Sequence, residues 1–397
     1  MYKKYCFVIS LLLMSGLLIA QNYSQQLDES LERLYQKYDL PGFSAMIVTK
    51  DSILYQQGFG LANIKSKQAF TPETLLNICS ISKTFIAVAV MKAIEDGYLT
   101  MDTEVNDVLP FKVVHPKYPN IPITIWHLVT HTSGIKDSFL AYRKGYYMRE
   151  KFKLKKRRLP IGYYNHAKAF NRNESMDYQE LLLQLLSRRG KWYDAEDGFT
   201  KHAPGTEYKY SNTAAALAAY VVELVVGEKF AEYTQKNIFH PLGMKHTGWT
   251  FETIDENQLA TLYFQNGQPI PKYQLILFPA GGLLSSTADL SLFLMEMMKG
   301  YIGEGRILKP TSYKKMFTVQ FEGGDRPGVF WDIGLKTFSH NGGDQGVHTL
   351  MSFSKETLIG KILFTNTNAH WASELENQFQ SIWKELYLYQ GHFISRK

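Results

Sequence analysis

The 397-residue sequence contains very little cysteine: Cys6 and Cys79 are the two thiols of the chain. Two cysteines cannot supply the disulfide framework of a small secreted domain. Glycine and proline, at 29 and 14 residues, are too few for a collagen-like or low-complexity chain. Hydrophobic residues at 45% and charged residues at 20% are ordinary values for globular domains, so we expect a chain folded around a large apolar core.

Further absences exclude classes of function. The sequence has no glycine-rich phosphate loop and no G-x-G-x-x-G, so it lacks the usual marks of a nucleotide-binding protein. It also has no G-x-S-x-G, which disfavours the α/β-hydrolase fold. The net charge of +7 is mild for this length and is weak support for a nucleic-acid or membrane-surface partner. We predict no nucleic-acid partner.

The longest apolar run lies at the N-terminus. Lys3 and Lys4 precede Cys6–Ala20, a nearly unbroken apolar run of 15 residues. A membrane span needs about 20 such residues, and a short apolar run after basic residues is typical of a secretory signal peptide. We therefore predict a signal peptide over residues 1–20, cleaved near Ala20, no membrane span in the mature chain, and a secreted or periplasmic protein. The alternative is an uncleaved N-terminal membrane anchor.

The patterns of apolar residues predict strands near both ends of the chain and mostly helices between them. The patterns predict strands at Gly42–Thr49, Ile53–Gly60, Gly328–Leu335, Val347–Phe353 and Leu358–Phe364. They predict helices at Leu27–Tyr38, Ser82–Asp96, Thr213–Val226, Ala288–Lys299 and Ala372–Leu388. Since the strands lie near both ends, we predict one α/β (α+β) domain from residues 21–99 and 321–397, with a mostly helical domain, 100–320, inserted between them.

The first candidate for chemistry is Ser80-Ile81-Ser82-Lys83, an S-x-x-K. Four other S-x-x-K sequences occur in the chain, but Ser80 alone opens a long, almost wholly apolar helix. Residues three apart share a helix face, so Lys83 should lie beside the Ser80 hydroxyl. The helix N-terminus also offers free N–H groups to a developing oxyanion. The competing interpretation is that Ser80 or Ser82 only caps the helix.

The second candidate is Tyr210-Ser211-Asn212, placed between the loop after Pro204-Gly205 and an apolar helix. A tyrosine at such a junction can reach into a cleft. Its pKa is ordinarily near 10, and we expect a nearby ammonium such as Lys83 to lower it. The alternative is that Asn212 caps the helix and Tyr210 is a core aromatic.

The third candidate is His340-Asn341-Gly342-Gly343-Asp344. One interpretation places His340 at a strand edge beside the nucleophile, with Gly343 N–H and Ser80 N–H forming an oxyanion hole. The other interpretation is a simple turn, because Asn-Gly is a strong hairpin signal.

Two further features have less specific interpretations. His127 and His131 are four residues apart, as in helical zinc sites, but Leu128 occupies the position of the usual glutamate and no third ligand is evident. Residues 143–158 contain nine basic residues and one acid. They form either a solvated surface or a contact to an anionic surface or substrate.

In order along the chain, Ser80/Lys83, Tyr210/Asn212 and His340/Gly342 resemble the three motifs of the serine β-lactamase and penicillin-binding-protein superfamily. The similarity is greatest to the class C β-lactamase-related hydrolases, which include esterases, D-aminopeptidases and D,D-peptidases. Other segments that resemble this family are Leu128–Gly134, Pro204-Gly205, Phe239–Met244 and Ala280–Gly282 with Ser285.

The resemblance implies a β-lactamase-like fold with an antiparallel sheet built from both chain ends. It implies a covalent acyl-enzyme on Ser80, with Lys83 and Tyr210 moving the proton and Asn212 positioning the substrate. His340, Gly342 and Gly343 would contact the substrate or its oxyanion. It implies no metal or organic cofactor, and a small ester, amide or peptide substrate, including cell-wall-derived ones.

The third motif departs from the antibiotic-hydrolysing enzymes, which typically carry K-T-G. His340 stands where that lysine would be, and a histidine is mostly neutral at pH 7. We therefore rank ester or peptide hydrolysis above β-lactam hydrolysis or D-Ala-D-Ala carboxypeptidase activity. A non-catalytic peptidoglycan-binding relative is the alternative from another class.

Overall fold

The computed structural model describes residues 23–38, 40–151, 161–323, 326–367 and 374–394. The predicted signal peptide at residues 1–20 lies outside these ranges, as do residues 152–160 of the basic segment. Strands are β1 Gly42–Thr49, β2 Ile53–Asn63, β3 Gln68–Ala69, β4 Leu76–Asn77, β5 Tyr146–Met148, β6 Tyr273–Leu275, β7 Leu284–Ser285, β8 Asp332–Ile333, β9 Thr337–Asp344, β10 Val347–Ser354 and β11 Ile359–Thr365.

Helices fill most of the remaining described chain. The first, α1, spans 23–37. The others are α2 Ser82–Glu95, α3 Val105–Val108, α4 Ile125–Val129, α5 Phe139–Lys144, α6 Ile161–Phe170, α7 Tyr178–Leu186, α8 Asn212–Val226, α9 Phe230–Thr234, α10 His240–Leu242, α11 Thr287–Tyr301, α12 Pro310–Met316 and α13 Glu374–Ile394. Within the described ranges, no helix has both the length and the hydrophobicity to cross a membrane.

Strands from both ends of the chain form one seven-stranded sheet in the order β3-β2-β1-β11-β10-β9-β8. Its neighbouring strands run antiparallel, with Ala45 opposite Leu363 and Leu363 opposite Leu350 across the centre. The predicted antiparallel sheet from both chain ends is therefore confirmed. The expected strand at Gly328–Leu335 is shorter than predicted, because only β8 pairs with β9 there.

The internal strand β1 is buried on both faces, and its alternating side chains enter two different cores. Phe43, Ala45 and Ile47 pack with Leu27 of α1 and with apolar residues of α13. Met46 and Val48 point the other way, into the larger core that contains α2, α8 and α11. Alternation with a period of two explains why one strand serves two cores. The sheet is thus covered by helices on both sides.

The middle of the chain, predicted to be mostly helical over residues 100–320, also contributes short strands. Two small antiparallel pairs, β4 with β7 and β5 with β6, join segments far apart in sequence. These strands have only two or three residues each, too few for an alternating pattern to identify them. The β5–β6 pair forms part of the wall beside the site described below.

The turn expected at Asn341-Gly342 lies elsewhere. His340 to Asp344 all belong to β9, and the chain reverses at Gln345-Gly346, where Gly346 has φ +72°. Asn341 pairs with Leu350 inside the ladder. The turn interpretation of this motif is therefore wrong, because the hairpin closes at Gly346, four residues beyond Gly342.

Candidate active site

Ser80 lies in a short turn of 3-10 helix, Cys79–Ile81, that leads directly into α2. Cys79 has φ +52°, a left-handed backbone conformation that residues other than glycine rarely adopt. Asn77 stabilises it, because the Cys79 N–H donates to Asn77 Oδ1 at 2.8 Å. Strain of this kind persists where surrounding structure imposes it, commonly at functional sites.

Two side chains converge on the Ser80 hydroxyl. Lys83 Nζ donates to Ser80 Oγ at 3.2 Å, and the Tyr210 hydroxyl donates to the same oxygen at 2.7 Å. Lys83 Nζ also lies 4.8 Å from the centroid of the Tyr210 ring. Lys83 is one helical turn from Ser80, whereas Tyr210 arrives from the segment just before α8.

Lys83 is fully buried, and its amine is surrounded by acceptors. It donates to Asn212 Oδ1 at 2.7 Å and to the backbone oxygen of Ala280 at 2.5 Å, besides its bond to Ser80. Burial lowers its pKa to about 7, although the charge of Asp137 acts in the opposite direction. An amine with this pKa is substantially neutral at physiological pH and can accept a proton.

Tyr210 does not behave as the sequence suggested. We expected Lys83 to lower the phenol's pKa, but burial raises it, and the hydrogen bond to Ser80 offsets only part of that rise. The phenolate would lose its hydration in this position, and that cost exceeds the attraction of a lysine that is itself partly neutral. The phenol is therefore neutral at pH 7 and acts as a hydrogen-bond donor to Ser80.

Sequence reasoning missed His131 and Asp137, which hold the Tyr210–Asn212 segment. The ring of His131 lies against Tyr210 with centroids 4.5 Å apart, and its Nδ1 accepts from the Ser211 N–H at 3.3 Å. Asp137 accepts from Asn212 Nδ2 at 2.8 Å and from the Asn212 and Thr213 N–H groups at 3.0 and 2.8 Å. A carboxylate at a helix N-terminus is stabilised by the free N–H groups there.

His127 and His131 have partners other than a metal. His127 Nδ1 accepts from the Thr124 N–H at 3.0 Å and completes a cap on α4, whereas His131 contacts Tyr210 and Ser211. The segment Leu128–Gly134, quoted above for its resemblance, was the signal that could have indicated His131. Asp137 lies three residues beyond it and has no signal of its own.

The third motif lies beside this cluster on β9. His340 is buried, and its Nδ1 is 2.7 Å from the Asn341 backbone oxygen. Burial lowers its pKa, and the positive charge of Lys83 adds to the effect, against the opposing charge of Asp332. A Cβ on Gly342 would come within 2.5 Å of Ile78 O and 2.9 Å of Cys79 Cβ, so only glycine allows β9 to approach the Ser80 turn this closely.

A cavity of about 110 Å³ opens in front of Ser80. Its lining residues are Cys79, Ser80, Asp137, Ala141, Tyr142, Gly145, Tyr146, Asn212, Thr213, Leu275, Leu277, Ala280, Gly281, Gly343 and Asp344. The structure thus brings Ser80, Asn212 and Gly343 to one cavity, with Lys83 and Tyr210 bonded to Ser80 behind it. It places His340 and Gly342 beside the Ser80 turn and not in the lining.

Comparison with protein families gives a match over most of the chain. A sequence model of the family described as Beta-lactamase matches residues 27–380. The putative penicillin-binding protein PbpX of Bacillus subtilis is 28% identical over 334 residues, which are 82% of this chain and 71% of that protein. Protein flp of Staphylococcus aureus (strain MW2) is 24% identical over 276 residues, 68% of this chain and 48% of that protein. The chain thus spans about half the length of protein flp.

Solved structures share the fold. An octameric penicillin-binding protein homologue from Pyrococcus abyssi aligns with a TM-score of 0.70 and 24% identity over 91% of this chain and 77% of its own. A class C β-lactamase aligns with a TM-score of 0.66 and 18% identity, covering 92% of this chain and 96% of its own. D-alanine carboxypeptidase AmpC from Burkholderia cenocepacia gives 0.65 and 19%, covering 94% and 99%. At these identities the structures establish the architecture alone.

Proposed function

The chain belongs to the Beta-lactamase family, whose members are serine hydrolases, and from this premise we propose that it is a serine acyl hydrolase acting on esters or peptides. The observation that carries the proposal is the pair of hydrogen bonds from Lys83 and Tyr210 to the one Ser80 oxygen. A serine hydroxyl is a weak nucleophile unless a neighbouring base accepts its proton.

In the first step, Ser80 Oγ attacks the carbonyl carbon of the substrate. Neutral Lys83 accepts the hydroxyl proton, since its amine is within hydrogen-bond distance and its pKa is lowered to about 7. The carbon–oxygen or carbon–nitrogen bond to the leaving group then breaks, and the proton passes to that group through the Tyr210 hydroxyl. Water hydrolyses the Ser80 ester in the second step and regenerates the hydroxyl.

The oxyanion formed in both steps would accept hydrogen bonds from the N–H groups of Ser80 and Gly343. Both residues line the cavity, and a Cβ added to Gly343 would meet nothing within 4 Å, so the space beside that backbone is open. Asn212 donates its amide to Asp137 and accepts from Lys83 through Oδ1, which keeps its side chain at the cavity wall.

We rank neutral or cationic esters and peptides above β-lactams. Recognition of a β-lactam carboxylate benefits from a fixed positive charge, and a histidine with a lowered pKa does not supply one at pH 7. The N-terminal apolar run further supports export as part of the proposal, so that the substrate would be met outside the cytoplasm. Determining the mature N-terminus by mass spectrometry tests that part, and a retained residue 1 would contradict cleavage.

Labelling with a fluorophosphonate probe tests the acyl-enzyme. We expect the wild type to be labelled and Ser80→Ala to be unlabelled. Ser381→Ala is the matched control, since Ser381 belongs to another S-x-x-K, on α13, where its hydroxyl donates to Asn377 O at 2.7 Å. This variant should be labelled like the wild type. Equal labelling of wild type and Ser80→Ala would exclude Ser80 as the nucleophile.

A hydrolysis panel of p-nitrophenyl esters, D-amino-acid amides, D-Ala-D-Ala peptides and nitrocefin tests the substrate ranking. Ester or amide turnover should exceed nitrocefin turnover. The opposite order would favour a β-lactamase, and no turnover with no labelling would favour a peptidoglycan-binding relative.

A further inference from the structure

The wall of the cavity formed by β9, α5 and the β5–β6 pair carries a carboxylate that the proposed mechanism does not use. Asp344 is the last residue of β9, immediately after Gly343, and lines the same cavity as Ser80. Tyr142 and Tyr146 line the cavity with it. Their rings contact each other, with centroids 5.3 Å apart. A carboxylate and two aromatic rings therefore face the space in which a substrate would lie.

Among the residues that the structure describes, the groups bonded to the Asp344 carboxylate are neutral donors. Its Oδ1 accepts from the Gln345 N–H at 2.7 Å, and its side chain is hydrogen-bonded to Tyr146. Gln345 is held in turn, because its backbone oxygen accepts from Tyr273 at 3.0 Å and its amide donates to the Tyr142 hydroxyl at 3.3 Å. These contacts fix the position of the carboxylate without neutralising its charge.

No ion pair involves Asp344 within the part of the chain that the structure describes, and neither lysine nor arginine lines this cavity there. Asp137, the other carboxylate of the lining, differs because its oxygens accept from the N-terminal groups of α8. Burial raises the pKa of Asp344 to about 6, so its carboxylate is mainly ionised at pH 7 and above. A desolvated charge without a counterion is costly, and a cation entering the cavity would relieve that cost.

We propose that this wall binds a positively charged ammonium group of the substrate, with the Asp344 carboxylate as counterion and the rings of Tyr142 and Tyr146 as further contacts. Aromatic faces attract ammonium groups, and they do so most strongly where water is excluded. The proposal rests on the proposed acyl hydrolase function and names its substrate class. The same negative wall would repel substrates whose recognition depends on a carboxylate.

Two matched pairs of esters test the proposal. One pair is the p-nitrophenyl ester of γ-trimethylammoniobutyrate and its uncharged isostere with carbon in place of nitrogen. The other is choline acetate and its uncharged carbon isostere, which places the charge on the leaving group. We expect the wild-type kcat/KM to be about tenfold or more higher for the cationic member of at least one pair. Interactions with charged groups and with aromatic rings contribute binding free energy on that scale.

Variants at Asp344 separate charge from shape. Asp344→Asn should reduce the cationic-to-neutral ratio to about threefold or less, whereas Asp344→Glu should retain most of it because the charge remains. Asp102→Asn is the control for a charge change away from the site, since Asp102 is exposed and outside the cavity lining. This control should leave the ratio within about twofold of wild type, because exposed charges are screened.

Binding to Ser80→Ala tests the ammonium site without turnover. By calorimetry, choline acetate or the cationic p-nitrophenyl ester should bind more tightly than its isostere, and adding Asp344→Asn should remove the difference. A wild-type ratio near one for both pairs, or a ratio unchanged in a folded Asp344→Asn variant, would overturn the ammonium proposal alone. Absence of fluorophosphonate labelling at Ser80 would instead overturn the acyl hydrolase function.

Discussion

Lys83, which is bonded to Ser80, and Asp344, which lines the cavity, are two ionisable groups with different kinds of partner. On the α2 side, Lys83 is surrounded by three acceptors from the protein itself: Ser80 Oγ, Asn212 Oδ1 and the Ala280 carbonyl. On the β9 side, Asp344 receives neutral donors, and no ion pair is found for it among the described residues. Burial moves the pKa of each group toward its neutral form, to about 7 for Lys83 and about 6 for Asp344.

The difference separates a group that works on the protein's own nucleophile from one that faces the substrate. In the proposed mechanism Lys83 exchanges a proton with Ser80 in each turnover, and its hydrogen bonds to Ser80, Asn212 and Ala280 hold it in position without substrate. Gln345 and Tyr146 hold the Asp344 carboxylate in position. Its proposed counterion is the ammonium group of the substrate. A charged group that the protein holds in place without a counterion favours ligands of opposite charge over neutral or like-charged ligands.

Removing the amine on the α2 side should have the largest effect. Lys83→Met is expected to lower kcat about 10²- to 10⁴-fold for every substrate, because general-base catalysis contributes on that scale. Lys92→Met is the matched control, since Lys92 is on the same helix and pairs with Asp96 at 2.7 Å near the surface. Steady-state kinetics of both variants measures the difference, and comparable losses in the two would contradict the base assignment.

The titrations of Lys83 and Asp344 should affect kcat/KM at different pH values. For an uncharged ester, kcat/KM should fall about tenfold per pH unit below the Lys83 pKa of about 7, since a protonated lysine cannot accept the Ser80 proton. The kcat/KM of a cationic ester divided by that of its neutral isostere should also decrease once the pH drops below about 6. Asp344 then becomes protonated and loses its charge.

Asp344→Asn distinguishes these two titrations. The variant should keep the acidic limb near pH 7 with the uncharged ester, because burial is the main cause of the lowered Lys83 pKa. The variant should also remove the decrease in the cationic-to-neutral ratio of kcat/KM below about pH 6. An acidic limb that disappears in Asp344→Asn would assign the base to the β9 side instead.

The smallest effect is expected at His340. Because burial lowers its pKa, its ring should be neutral above pH 7 and contribute no charge to substrate binding there. We predict that His340→Gln changes the ratio of kcat/KM for a carboxylate-bearing and an uncharged ester by less than about threefold at pH 7–8. A larger change would restore the interpretation that His340 binds the substrate carboxylate.

The first two motifs could be selected from the sequence because their surroundings are local. Ser80 was distinguished from the other S-x-x-K serines by the apolar helix that follows it, and Tyr210 by the loop and helix that flank it. The structure brings these residues to one oxygen. Local spacing could not identify the positioning groups, since Asp137 lies 75 residues from Asn212, to which it is bonded.

The third motif shows the limit of local patterns. Asn-Gly predicted a turn, yet β9 continues through it because Gly342 is needed where the strand approaches the Ser80 turn. The expected effect of Lys83 on the Tyr210 pKa failed for a related reason. Charge can be counted in a sequence, but the depth of burial, which dominates here, depends on what packs around the phenol.

The sequence by itself determined β1, β2, β10 and β11, the helices of both chain ends, their burial through alternating or continuous apolar runs, and the Ser80–Lys83 pair, since one helical turn joins those two residues. Only the tertiary structure decided which side chains share the cavity, how far burial moves the pKa values of Lys83 and Asp344, and that the latter carboxylate has no ion pair among the described residues. Desolvation and pairing arise from contacts between distant segments, and a linear pattern does not contain those contacts.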